Sequence, residues 1–282
     1  MLTVGLLGLV AAALLVLRAV NRSDGVRASA DAGVRLPILM YHSILKDPAS
    51  TGMYVITPTA LEEDLRYLRD NGYQTVVVAD LLAYVDEGTP LPEKPVMLTL
   101  DDGYLNNLTY LLPLLERYEM RAVISVIGRY TALYSDTPDP NPAYAHLTWD
   151  DIRTLSESGR VEIQNHSYDM HRQAARRGAG RKSGEGMAAY TQALTEDVCT
   201  LQTLLQTKCG ISPTAFVYPY GQVSRGADGI LAGLGFRCTM TCEERVNQIT
   251  RSAQSLFGLG RFNRSGTEST AAFMRKIEGS VR

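Results

Sequence analysis

From Met1 to Leu17 no side chain carries a charge, and the run LLGLVAAALLVL is nearly continuous in apolar residues. This length falls slightly short of the roughly 20 residues of a bilayer-spanning helix and suits the apolar region of a signal peptide or signal anchor. Residues 1–20 are therefore expected to form an N-terminal hydrophobic anchor helix, either a transmembrane signal anchor or a signal peptide. The uncleaved form is favoured, because the small-residue pattern Ala28-Ser29-Ala30 lies far beyond Leu17. The stretch NRSDGVRASADAG has linker composition, so residues 21–35 are read as a linker. After it, short β-rich runs alternate with helix-like segments. The strands are expected at Leu36–His42, Gln74–Val78, Val96–Leu100, Arg121–Ile127, Val161–Asn165, Thr214–Tyr218 and Phe236–Thr241. Helical patterns fall at Thr57–Asn71, Thr148–Ser158, Ala188–Thr207, Ser224–Leu234 and Glu268–Glu278. Thr57 is placed as an N-cap before Pro58, and Thr148 opens a capping-box-like start with Asp151. Runs such as VMLTL and AVISVI are near-continuously apolar, as strands buried by flanking helices should be.

Seven such units predict an α/β fold: one distorted (β/α) barrel of about seven strands over residues 36–282, with an open doubly wound sheet as the second architecture. Composition narrows the function. Lys and Arg total 28 against 30 Asp and Glu, a net charge of -2, which argues against a nucleic-acid-binding surface. Hydrophobic residues at 45% and charged residues at 21% leave no room for wholesale disorder. Neither GxGxxG nor GxxxxGK[ST] occurs, so the usual nucleotide-phosphate cradles are missing. Cys199, Cys209, Cys238 and Cys242 are too few for a disulfide scaffold, and both pairing and free thiols fit them. The basic, glycine-rich stretch Arg172–Gly186 reads as a mobile loop. Histidine is scarce, with His42, His146, His166 and His171 making up the whole supply.

The polar residues collect at the C-terminal ends of the expected strands. These are His42-Ser43, Asp101-Asp102-Gly103, the segment His166 to His171, and Tyr218-Pro219-Tyr220-Gly221. In β/α barrels the catalytic groups sit at that face. Two histidines and a carboxylate form a common ligand set for a divalent metal with open positions. His166 and His171 are close enough in sequence for one loop to aim both rings at one ion. Of the Asp101-Asp102 pair, one carboxylate can ligate while the other takes a proton from water activated by the metal. Each cluster alone has a plainer reading: a turn, a surface loop, an aromatic turn, a core histidine. Their joint occurrence at strand ends favours a site. His146, after the Pro- and Asn-rich stretch DTPDPNPAYAH, is read as a loop or substrate-rim residue. Arg261 and Arg264 are read as solvated surface arginines, with a role in orienting Asp101 as the second reading.

These residues resemble the polysaccharide deacetylase family, the NodB homology domain of carbohydrate esterase family 4. The motif TFDDG appears as Thr99-Leu100-Asp101-Asp102-Gly103, the histidine motif as NHSYDMH, and a third motif as FVYPYG. The resemblance spans roughly residues 36 to 265. It implies Asp101 as general base, Asp102, His166 and His171 as metal ligands, and the Tyr220 backbone N–H as an oxyanion donor. The family's acid histidine in a C-terminal Leu-x-His motif is absent, since no histidine follows His171. The biofilm poly-N-acetylglucosamine deacetylases are similar in their i, i+5 histidine spacing. Their acid histidine comes from an N-terminal segment resembling Leu39-Met40-Tyr41-His42, which implies His42 as the general acid.

The resemblance thus implies a metal-dependent hydrolase that removes N-acetyl groups from a cell-surface or cell-wall N-acetylglucosamine-type polysaccharide. The implied cofactor is one divalent ion, with zinc preferred and cobalt, nickel, manganese and iron compatible. An O-acetyl glycan esterase and a membrane-tethered glycan-binding protein without turnover are the alternatives. The partners expected are the acetylated glycan and the membrane, with no nucleic acid. Arg18, Arg22 and Arg27 follow the apolar run and none precedes it, which by charge alone would keep the domain cytoplasmic. A polymeric glycan substrate outweighs that bias, and an extracytoplasmic location is expected, either membrane-anchored or secreted.

Overall fold

The structure, a computed structural model, describes residues 33–281. The anchor expected at residues 1–20, and nearly all of the linker, lie outside the described residues. None of the described helices is long and apolar enough to cross a membrane.

Seven parallel strands form a curled sheet consistent with a (β/α) barrel: β1 (Ile38–Tyr41), β2 (Pro95–Leu100), β3 (Ala122–Val126), β4 (Val161–Asn165), β5 (Ala215–Val217), β6 (Cys238–Met240) and β7 (Phe262–Asn263), in the order β6-β5-β4-β3-β2-β1-β7. The short strand Gln74–Thr75 pairs with the start of β2. Leu259 pairs with Met240 on β6, while Phe262 and Asn263 pair with Leu39 and Met40 on β1. A single segment therefore hydrogen-bonds to both edges of the sheet.

Alternation along the strands sorts the side chains. Ile38, Met97, Val123, Val217 and Met240 share one buried cluster, whereas Leu39, Leu98, Ile124 and Ile163 belong to the cluster built with the helices. The period of two carries Met97 on to Thr99 and then to Asp101, which places a carboxylate at the strand's end on the face that Met97 shares with Ile38 and Val123.

Around the sheet lie α1 (Pro58–Asp70), α2 (Val78–Asp86), α3 (Leu112–Tyr118), α4 (Gly128–Asp136), α5 (Trp149–Glu157), α6 (Met187–Cys209), α7 (Ala227–Gly233) and α8 (Thr270–Val281). Thr57 caps α1 with Pro58 at its first position, and Thr148 and Asp151 close the capping box of α5, both as expected. Helices α2, α3 and α4 were not anticipated. The stretch expected as one strand at Leu36–His42 is two. Pro37 has no N–H to give a ladder; Val34–Leu36 pairs antiparallel with Asn247–Ile249, and β1 begins after it. The strand expected at Gln74–Val78 stops at Thr75, because Asp80 turns back onto the Val77 N–H (2.8 Å) and starts α2. Strand β7 escaped notice because two paired residues carry no periodicity. The four cysteines are free.

Candidate active site

The chain leaves three strands of the sheet through residues in the left-handed region: Asp102 (φ 74°) after β2, Ser167 (φ 76°) after β4 and Tyr220 (φ 57°) after β5. Each such non-glycine conformation costs on the order of 1–3 kcal/mol and persists only where its surroundings impose it. Gly103 (φ 67°) follows Asp102, and a Cβ there would lie 2.9 Å from Val126 Cγ1, so the turn admits no side chain. Ser167 is held by its N–H donating to Asn165 Oδ1 (2.8 Å) and by its Oγ accepting from the Met170 N–H (3.1 Å). These turns let Asp101 and Asp102, adjacent in sequence, present both carboxylates to one cleft.

Asp102, His166 and His171 bring one ligand atom each to within 4.8 Å of one another. His166 Nδ1–H donates to the Val217 carbonyl (2.8 Å), which turns the Nε2 lone pair towards Asp102 Oδ1 at 3.5 Å. His171 Nε2 lies 3.2 Å from the same oxygen, and its Nδ1 meets the Tyr220 hydroxyl at 3.2 Å. Asp102 Oδ1 is buried, and no described group donates a hydrogen bond to it. Two ring nitrogens and an orphaned carboxylate oxygen converging on one point repel one another unless a cation lies between them. The residues fit a divalent ion with open positions. Burial by itself would lower the proton affinity of His166, but the Asp101 and Asp102 carboxylates outweigh it and raise it.

Asp101 sits beside this cluster without joining it. Arg261, fully buried, donates from both terminal nitrogens to Asp101 Oδ1 (2.7 Å) and Oδ2 (2.8 Å), and Ser125 Oγ donates to Oδ1 (2.8 Å). Burial would raise the carboxyl's pKa; Arg261 and the neighbouring histidines overcome it and hold the group far below the usual carboxylate range. Arg261 is itself fixed by Nε donating to the Thr241 carbonyl (2.9 Å). Its reading as a solvated surface residue is overturned, and so is that of Arg264, which is buried against Asp64. Both flank β7, and each pairs with a carboxylate far away along the chain, so no local signal marks either as buried.

His42 follows β1 with Nε2 4.0 Å from Asp101 Oδ2, its ring 4.7 Å from that of Tyr54, and a buried Nδ1 with no hydrogen-bond partner among the described residues. Burial lowers its proton affinity against the pull of Asp101 and Asp102. His146 lies in a loop, as expected, but is buried there and not at a rim. Its Nδ1–H donates to the Asp102 carbonyl (3.0 Å), and its ring stacks between Tyr104 and Tyr130 with centroids 4.7 and 4.5 Å away. The basic stretch is a largely exposed loop, as expected, with its Gly178-Ala179 segment packed against the turn after β5. A Cβ on Gly178 would stand 2.3 Å from the Pro219 carbonyl, and Arg176 pairs with Glu185.

Asp197 on α6 secures the loop that carries His171, accepting from the N–H groups of Tyr168 and Asp169 (both 2.8 Å). Burial raises its pKa to about 6, helped by Asp169 and opposed by those two amides and Arg176. A carboxyl whose folded pKa exceeds its unfolded value adds stability below the unfolded value and loses it as pH climbs through the folded one. Denaturant unfolding of wild type and Asp197→Asn should therefore diverge between pH 4 and 7. Wild type is expected to lose about 1–3 kcal/mol relative to the variant, since each tenfold change in proton affinity is worth about 1.4 kcal/mol. Parallel curves would show that the two amides compensate its charge fully.

The cluster opens into a cleft of about 630 Å³ lined by His42, Asp101, Asp102, His166, His171 and Tyr220 among others, within the roughly 300–1,000 Å³ range of small-ligand sites. A parallel sheet that gathers a pinned carboxylate, a histidine and a three-residue cation set at its C-terminal mouth has the make-up of a hydrolytic centre. Comparison with known proteins gives the family. Residues 88–239 match the polysaccharide deacetylase family model, and the chain belongs to that family. It is 28% identical over 228 residues to the poly-beta-1,6-N-acetyl-D-glucosamine N-deacetylase of Escherichia coli K12, covering 73% of this chain and 33% of that protein. The chain thus spans about a third of the length of this curated relative. The de-N-acetylase from Aggregatibacter actinomycetemcomitans shares the fold at 23% identity, with a TM-score of 0.72 over 86% of this chain and 100% of the other. IcaB from Ammonifex degensii does so at 24% identity, with a TM-score of 0.66 over 84% and 94%.

Proposed function

We propose that residues 36–282 form a metal-dependent deacetylase that hydrolyses N-acetyl groups on an extracytoplasmic N-acetylglucosamine polysaccharide, with residues 1–20 as its anchor or signal. The observation that carries this reading is the orphaned Asp102 Oδ1 between two histidine Nε2 atoms, beside an unligated aspartate pinned by Arg261. Asp102, His166 and His171 would hold the ion, with zinc the preferred metal. When bound, a divalent ion supplies Lewis acidity and lowers the pKa of water in its open position.

The chain's own residues supply the rest. Asp101, kept ionised and oriented by Arg261, accepts the proton of the attacking water. The Tyr220 N–H, presented by the left-handed turn, donates to the oxygen on which negative charge develops. His42 faces Asp101 across the cleft and donates a proton to the departing nitrogen. Membership of the family and the E. coli relative named as a poly-beta-1,6-N-acetyl-D-glucosamine N-deacetylase support this substrate class.

Acetate release from β-1,6- and β-1,4-linked N-acetylglucosamine oligosaccharides, set against acetyl-xylan, tests the reading and separates amide from ester substrates. Exhaustive dialysis against a chelator is expected to abolish release, and stoichiometric zinc to restore it. Glycan affinity without acetate release after metal loading would instead identify a binding protein.

A further inference from the structure

His42, the proposed acid, follows β1 on a segment that other side chains hold. Ser43–Ile44 pairs in parallel with Val55–Ile56, and the same segment meets two fully buried asparagines, Asn106 and Asn107. Asn106 Oδ1 accepts from the Ile44 N–H (3.0 Å), and its Nδ2 donates to Ser43 Oγ and to the Pro142 carbonyl (both 3.0 Å). Asn107 Nδ2 donates to the His42 carbonyl (3.0 Å) and to Asn106 Oδ1 (3.1 Å). All four amide hydrogens of the pair are thereby used. Only Gly103, Tyr104 and Leu105 separate the pair from Asp102. The stretch that delivers the base therefore also grips the residue that faces it.

The grip is stiff. The Leu105 N–H donates to the Ala145 carbonyl and the Leu147 N–H to the Gly103 carbonyl (both 2.8 Å). Asn107 opens a π-helical turn, Asn107–Leu111, a rare winding that is frequent at functional sites. His42 Nδ1 and Asn107 Oδ1 are both buried and have no hydrogen-bond partner among the described residues. They are complementary, since a protonated imidazole donates from both nitrogens and an amide oxygen accepts. A buried amide on a backbone carbonyl would serve folding equally well in any loop. Here the carbonyl belongs to the residue whose Nε2 lies 4.0 Å from Asp101 Oδ2.

We propose that Asn107 is a positioning residue for proton delivery, fixing His42 so that Nε2 points at the departing nitrogen. The inference rests on the deacetylase reading above and adds a residue outside the lining of the cleft. As the amide C–N bond breaks, its electron pair passes to the nitrogen, which takes the proton from His42 Nε2 and leaves as the amine. An amine does not leave as an anion, so an amide substrate needs this transfer. An ester of 4-nitrophenol does not, because its phenolate leaves unprotonated. Misplacing a catalytic group by about 1 Å costs on the order of 10²-fold. That cost falls only on the substrate that needs the proton.

The test sets the two leaving groups against each other. In Asn107→Ala, kcat for acetate release from an N-acetylglucosamine pentasaccharide should fall about 10²-fold with KM unchanged. Hydrolysis of 4-nitrophenyl acetate should stay within about threefold of wild type. In a His42→Ala background Asn107→Ala should cost nothing further, because a residue that acts through another is silent once the other is gone. Equal losses on the two substrates, or a further loss in the double variant, would overturn the proposal and leave the deacetylase reading intact. If Asn107→Ala does not fold, the isosteric Asn107→Asp, which has no N–H for the His42 carbonyl, is judged by the same two criteria. A wild type that releases no acetate from any oligosaccharide would remove the deacetylase reading, and nitrogen-15 NMR of the His42 ring then decides the positioning role. Ring resonances that shift in Asn107→Ala sustain it, and resonances identical to wild type overturn it.

Discussion

The Asp101→Asn protein is expected to take up a divalent ion as wild type does and to release acetate roughly 10²–10⁴-fold more slowly, the usual contribution of a positioned general base. The asparagine amide cannot accept a proton at neutral pH, whereas Asp102, His166 and His171 remain unaltered. The same substitution has a second effect. Arg261 keeps its charge at a fully buried position but faces an amide where it had a bidentate carboxylate. Breaking a buried ion pair from one side costs up to about 3–5 kcal/mol. A lowered unfolding midpoint should accompany the loss of rate. Metal content, acetate release and thermal unfolding measured on one preparation separate the effects. Wild-type turnover in this variant would remove Asp101 from the chemistry.

Arg264→Met is expected to destabilise the fold by about 3–5 kcal/mol without touching the cleft directly. Arg264 donates from Nε and a terminal nitrogen to Asp64 on α1 (2.7 and 3.1 Å), and Asp64 also accepts from the Thr270 hydroxyl (2.6 Å) and the Tyr41 hydroxyl (3.2 Å). Asp64 is fully buried, and burial raises its pKa even with Arg264 in place. With Arg264 replaced, the uncompensated carboxylate is relieved chiefly by protonation. The deficit in denaturant unfolding should then be smaller at pH 5 than at pH 8. The double variant Asp64→Leu with Arg264→Met should recover much of the loss, because two apolar groups leave no charge to pair. A deficit independent of pH would point to lost packing of Arg264 against Phe273, 5.2 Å away.

Much of this molecule was legible from its residues because the informative signals were local. Ala122–Val126 is a strand where a near-continuous apolar run predicted one, and the caps at Thr57 and Thr148 are local hydrogen bonds that a few residues determine. The clusters at Asp101-Asp102, His166-to-His171 and Tyr220 do meet at one cleft, because a parallel sheet delivers all its strand ends to one side. What stayed hidden depends on distant partners. Arg261 reaches Asp101 across 160 positions, and Arg264 reaches Asp64 across 200, so neither looked different from a surface arginine. His146 lies in the loop that was read for it, but its burial was hidden for the same reason: loop composition says nothing of the tyrosines that sandwich it. The two-residue β7 left no periodic trace, though it completes the sheet's hydrogen bonding.

That segment has a consequence for how the protein comes into being. The stretch from Leu259 to Arg264 joins the sheet's two edge strands and carries the counter-charge of Asp101. Until it docks, the carboxylate that would act as base lacks its arginine, and one seam of the sheet stays open. Pairing of Asp101 therefore waits on the C-terminal part of the chain. A nascent chain lacking its final 24 residues would hold every metal-ligand candidate and still lack the arginine that pins Asp101.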